Sequence, residues 1–107
     1  WDEARAALDR VLRGAAGAEA AETALAIGDT WARQGDAQAA TEYYLTAAYL
    51  VPDAPAGRRA LLSAARTLAS AKERAAAATL YRKLLAQTGV PADIAEEARR
   101  GLGELKP

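Results

Sequence analysis

The sequence predicts an all-α fold on three observations. Alanine dominates the apolar residues, glycine and proline cut the chain into helix-length pieces, and larger apolar residues recur within those pieces at helical spacing. Of 107 residues, 31 are alanine and 13 leucine, with 3 Val, 2 Ile, 2 Trp and 4 Tyr completing the apolar set. Leu, Ile, Val and Phe together number 18, a level that accompanies disorder when net charge is high. Here 14 basic residues balance 14 acidic ones, and alanine is the best helix former. Closely packed helices are the expectation.

The elements follow in order. Gly14 and Gly17 close a first segment, Asp2 to Arg13, whose stripe is Leu8, Val11 and Leu12. A second helix is predicted from Glu19 to Gln34, stopping at Gly35. Asp36 is placed to cap a third, which ends before Pro52. Pro55 or Gly57 opens a fourth, reaching Ala69, with Leu61, Ala64, Ala65 and Leu68 on one face. Ser70 and Glu73 have the spacing of a capping box, which predicts a fifth helix from Ala71 to Thr88, closed by Gly89 and striped by Leu80, Tyr81, Leu84 and Leu85. Pro91 suits the first turn of a sixth helix, with Asp93, Glu96 and Glu97 near its positive end and Ile94, Ala98, Leu102 and Leu105 as its stripe. No stretch alternates with a period of two long enough to make a strand.

The helices repeat. Ala4 precedes Leu8 by four residues, Ala40 precedes Tyr44, and Ala77 precedes Tyr81, with the alanines 36 and then 37 residues apart. Each pair puts a small residue and a large one on the same face, one turn apart. The small one admits a neighbouring helix and the large one fills the space beside it.

The middle unit resembles a tetratricopeptide repeat through Ala24, Ile27, Gly28, Trp31, Ala40, Tyr44 and Pro52, with Gly35 and Asp36 at the turn between paired helices. Ala24 stands where the family has its first Trp. The next unit fits through Leu61, Ala64, Ala65, Leu68, Ala77 and Tyr81, with Ala65 at the Gly position and Gly89 at the Pro position. The resemblance implies one domain over 1–107, a short right-handed solenoid of about six helices in stacked antiparallel pairs. A half repeat spans 1–16, a complete repeat 18–54, a degenerate repeat 55–90 and a closing helix 91–107. In such arrays each pair has too little large apolar surface to stand alone, and stacked neighbours supply a continuous core. Trp31, Tyr44 and Tyr81 fall at the family's core positions; Tyr43 and Tyr49 are left between the convex side and a contact with another protein.

The resemblance also implies a concave face, lined by the first helix of each pair, that receives a peptide or helix. Its positions here are Glu22, Leu25, Asp29, Ala32 and Arg33, then Arg59, Leu62, Arg66, Ala69 and Ser70, then Asp93, Glu96 and Arg100. Of these, Leu25, Asp29, Arg33, Arg59, Leu62, Arg66 and Arg100 are the expected partner-binding residues. Leucines would supply apolar contact, and Arg59 and Arg66 would orient an acidic or C-terminal group. The plainer alternative is a solvated face with local pairs such as Asp29–Arg33 and Glu96–Arg100. The family's carboxylate-holding clamp uses lysine and asparagine where this chain has Leu25 and Asp29, so that form of recognition is not expected.

Other functions find little footing. With no Cys and no His there is no thiol nucleophile, disulfide, imidazole base or ordinary zinc or haem ligand. Ser63 and Ser70 have no histidine to activate them, and neither an enzyme nor a cofactor is expected. Balanced charge leaves no electrostatic footprint for nucleic acid, and the basic pairs Arg58–Arg59, Arg82–Lys83 and Arg99–Arg100 are short. No apolar run approaches the roughly 18 residues that insert in a membrane. The chain starts at Trp1 rather than Met, so a longer protein is expected.

The expected function is a protein-interaction module of a scaffold, adaptor or assembly factor whose partner is another protein. A sensor or oligomerisation module of a transcription regulator or enzyme is one alternative, and a periplasmic envelope-assembly protein is another. Arginine outnumbers lysine 11 to 3, which with the alanine content suggests a GC-rich bacterial source. Cytoplasmic residence is the expectation, periplasmic the alternative, and the oligomeric state is left open.

Overall fold

A computed structural model describes residues 17–52 and 54–105; the segment Asp2 to Arg13 and the half repeat assigned to it lie outside the described residues. Among the described residues the fold is all-helical, with five helices and no strand: α1 (Gly17–Arg33), α2 (Ala37–Leu50), α3 (Pro55–Ser70), α4 (Arg74–Ala86) and α5 (Ala92–Glu104). Connections of three to five residues make each helix the antiparallel neighbour of the next. Each packs on its successor; α3 also touches both α1 and α5, whereas α2 and α4 make no comparable backbone approach.

The turn signals act mostly as expected. Asp36 caps α2, its carboxylate accepting from the Ala39 N–H at 3.0 Å. Gly35 takes φ +84°, and the Asp36 N–H reaches back to the Trp31 carbonyl at 3.0 Å, closing α1 in the manner of a left-handed helix stop. The same turn recurs 37 residues later. Lys72 takes φ +66°, the Lys72 N–H bonds the Ala69 carbonyl at 3.1 Å and the Glu73 N–H bonds the Leu68 carbonyl at 2.8 Å.

That recurrence overturns the capping box. Ser70 is still helical, the last residue of α3, so it cannot act as an N-cap; Glu73 occupies that position and makes no side-chain cap bond. The fifth predicted helix accordingly starts at Arg74 rather than Ala71 and stops at Ala86, short of Thr88.

The core is an alanine core. Among the described residues, thirteen of the twenty buried apolar ones are alanines, joined by four leucines and three tyrosines, so helices approach closely and the few large side chains act as wedges. One cluster gathers Ala24, Leu25, Ala40, Tyr43, Tyr44 and Ala47 with Ala60 and Ala64. A second gathers Leu61, Leu62, Ala65, Ala77, Tyr81 and Leu84 with Ala98. Half-buried Leu45, Ala48 and Leu80 pack against both.

Tyr44 and Tyr81, one repeat apart, solve the same problem differently. A Cβ at Gly28 would fall 2.7 Å from the Tyr44 ring, so the absence of a side chain there creates the seat for Tyr44. At the corresponding position α3 has Ala65, whose methyl forbids that pose. Tyr81 instead lies over Gly101 of α5, where a Cβ would collide with the ring. The second tyrosine thereby ties its pair to α5.

Two stability predictions follow. Tyr44→Ala should cost roughly 3–5 kcal/mol and Ala40→Leu about 1–3 kcal/mol by overpacking, each visible as a lowered thermal midpoint; parent-like melting of both would refute the assigned contacts. Lys72→Gly should stabilise by about 0.5–1 kcal/mol, because a left-handed residue with a Cβ is strained and glycine is not. Urea denaturation that shows Lys72→Gly weaker than the parent would contradict that account.

Candidate partner-binding cleft

The face shared by α1 and α3 opens into a cleft of about 460 Å³, lined by Asp29, Ala32, Gly35, Ala37, Tyr44, Ser63, Arg66, Thr67, Ser70 and Ala71. Helical spacing explains its walls. Asp29 and Ala32 lie one turn apart on α1, while Ser63, Arg66, Thr67 and Ser70 form an i, i+3, i+4, i+7 stripe on α3. The two equivalent turns, at Gly35 and after Ser70, meet at one end.

Tyr44 reaches the cleft from beneath. Its ring is 2% exposed, yet its hydroxyl donates to Asp29 Oδ1 at 2.5 Å. Burial, the hydrogen bond to Asp29 and the Asp29 charge all push the Tyr44 phenol far above its ordinary value, with Arg66 and Arg33 opposing. The group stays a neutral donor throughout the physiological range.

Two ion pairs stitch the odd-numbered helices. Arg59 Nη2 meets Glu22 Oε1 of α1 at 2.7 Å, and Arg66 Nη1 meets Glu97 Oε1 of α5 at 2.7 Å. All four side chains are roughly half exposed, so each pair contributes on the order of 0–1 kcal/mol and sets orientation more than stability. Arg58 bonds Gln87 and the Thr88 carbonyl, anchoring the start of α3 to the loop after α4.

The expected partner-binding residues therefore separate. Asp29 and Arg66 come together in the cleft. Leu25 and Leu62 do not offer apolar contact: they are 8% and 5% exposed, committed to the core beneath the groove. Arg59 lies further along α3, paired to Glu22; Arg33 and Arg100 are exposed outside the lining. The alternative pairing Asp29–Arg33 gives way to the Tyr44 bond. Ser63, Thr67 and the Tyr44 hydroxyl were missed as cleft residues, although the α3 stripe through Ser63, Thr67 and Ser70 was readable. Tyr43 is buried, and Tyr49 is 79% exposed. Tyr49 borders a second, apolar cleft of about 320 Å³ on the other side of α3, with Leu45, Leu61, Leu80 and Lys83; Lys83 Nζ stands 5.8 Å from the Tyr49 ring centre.

No family model, curated protein or solved structure matches this chain. Among the described residues, no helix is long and apolar enough to cross a membrane.

Tyr44 gives the fold a pH signature. A phenol whose pKa is higher folded than unfolded contributes stability that is whole below the unfolded value and is lost as pH rises through the folded one. Stability should thus decline above about pH 10, the ordinary tyrosine value, where the unfolded chain sheds protons that folded Tyr44 and Tyr81 keep. In urea titrations across that range, Tyr44→Phe should decline less steeply than the parent; an equal slope would remove Tyr44 from the account.

Proposed function

We propose that this chain is a protein-interaction module, a short tetratricopeptide-like stack of antiparallel helix pairs that receives a partner peptide or helix in the cleft between α1 and α3. The observation that carries the reading is duplication in three dimensions. The left-handed turn at Gly35 recurs at Lys72, and buried Ala40 and Tyr44 recur as buried Ala77 and Tyr81. Helix pairs that repeat in this way bury their apolar faces on one another and leave a shared polar face free.

α5 supports the same reading. Its inner stripe, Ile94, Ala98 and Leu102, packs on the second cluster, while Glu96, Arg99, Arg100 and Glu104 are exposed. An apolar inner and charged outer face suits a helix that closes a stack. The roles proposed for the whole protein are scaffold, adaptor or assembly factor.

The test fills the cleft. Reversing Arg59 and Arg66 would set glutamates against Glu22 and Glu97, confusing binding with repulsion between helices. Thr67→Trp instead projects bulk into the lining. With a peptide selected by phage display, amide shift changes should centre on Asp29, Ala32, Ser63 and Ser70. Thr67→Trp should weaken binding at least about tenfold and leave the melting curve near the parent's, whereas Arg99→Trp on the outer face of α5 should bind normally. Shift changes centred on Leu45 and Leu80 would overturn the choice of face.

A further inference from the structure

We infer that the group this cleft takes from its partner is a cation, a lysine or arginine side chain, with Asp29 as counter-charge and Tyr44 as the residue that positions Asp29. The inference rests on the groove reading above and deepens it by reversing the polarity expected from the arginines. Those arginines are occupied. Arg59 is paired with Glu22 and Arg66 with Glu97, each at 2.7 Å. The lining contains one guanidinium, Arg66, and its charge is already met from the α5 side.

The lining also contains one carboxylate, Asp29. Among the described residues its hydrogen-bond partner is the Tyr44 hydroxyl on Oδ1, a neutral donor, so the bond fixes the carboxylate without cancelling its charge. Arg33, one turn along α1, acts on the Tyr44 hydroxyl through its charge, but it is exposed, stands outside the lining and forms no ion pair with Asp29 among the described residues. Oδ2 is left to the cleft.

The remaining polar groups suit the same ligand. Ser63, Thr67 and Ser70 present hydroxyls that accept from an ammonium or guanidinium N–H. A carboxylate arriving here would meet an Arg66 whose charge Glu97 already balances, and would approach Asp29, so like-charge repulsion opposes it. Tyr44 cannot swing aside to relax the arrangement, because its ring is buried and seated on Gly28. Asp29 is thus held rigidly by a donor that cannot leave, which is what a preorganised counter-charge requires.

The experiment is an array of immobilised nonapeptides of varied sequence probed with the full chain. Binders should be enriched in lysine and arginine and depleted in aspartate and glutamate. For the best lysine-bearing peptide, Asp29→Asn should raise Kd by roughly tenfold or more, and norleucine in place of the lysine should cost the same factor, the two changes together costing no more than either. Asp29→Asn keeps an acceptor for the Tyr44 hydroxyl, and its melting curve should stay near the parent's. Tyr44→Phe keeps the ring on Gly28 and should weaken the lysine peptide but not the norleucine one, an effect that mere structural damage would not produce. Arg66→Gln should leave the lysine preference intact. Enrichment in acidic residues, or a lysine preference that survives Asp29→Asn, would overturn the cation assignment and leave the groove standing. An array with no binders, or binders that respond to Leu45 and Leu80 changes and not to Thr67→Trp, would overturn the groove reading and this inference together.

Discussion

The structure depends on a tyrosine ring seated on a glycine. An alanine core gives each helix contact little transferable surface, about one methyl per residue, so the large side chains supply a disproportionate share of the burial energy. Tyr44, Tyr81 and Leu84 are three of the seven buried residues larger than alanine among the described residues. Tyr44 can occupy its place because α1 offers Gly28 beneath it, and the bare backbone costs some helix propensity there, roughly 1 kcal/mol. The ring then carries its hydroxyl to Asp29 at the cleft. One contact therefore joins α1 to α2 and also shapes the floor of the cleft.

In the second pair the same constraint runs the other way. Ala65 replaces the glycine, the seat is blocked, and Tyr81 finds Gly101 on α5. Ala98, three residues before Gly101, is also fully buried in that cluster. A single methyl at position 65 thus has a consequence 36 residues away: α5 becomes part of the core of the pair it follows. Loss of α5 would expose Tyr81, whose ring lies against Gly101, so α5 belongs to the folding unit in spite of its largely charged exterior.

Much of this was legible in sequence because it is local or periodic. The four-residue spacing of Ala40 with Tyr44 and of Ala77 with Tyr81 announces a small-large helix contact, and Asp36 announces a cap. What failed is equally instructive. Ser70 and Glu73 match a capping box in spacing alone; whether they form one depends on where the preceding helix stops, and the left-handed turn at Lys72 puts that stop beyond Ser70. Nothing local marks a lysine as left-handed; only comparison with Gly35, one repeat earlier, does. Leu25 and Leu62 fell at groove positions by resemblance, but burial is decided by residues distant in the chain: the first belongs to the cluster with Ala40, Tyr44 and Ala47, the second to the cluster with Ala77, Tyr81 and Ala98. Gly101 gave no sign, since a glycine in a charged helix looks like a defect until the ring above it is seen.

Charge followed a pattern visible only once helices had neighbours. α3 carries Arg58, Arg59 and Arg66 with no acid, and α4 carries Arg74, Arg82 and Lys83 with none. α1 and α5 each carry more acids than bases. Setting the cationic α3 between two acidic helices makes a wrong order of stacking electrostatically unfavourable, although each exposed pair adds little to stability. The cleft inherits its character from that arrangement. Two arginines that look available in the sequence are spent on helix order, and an aspartate that looks ordinary is the charge in the lining that no ion pair meets among the described residues. Reading a groove from its residue types alone would reverse its polarity; reading which charges the fold has already neutralised gives its sign.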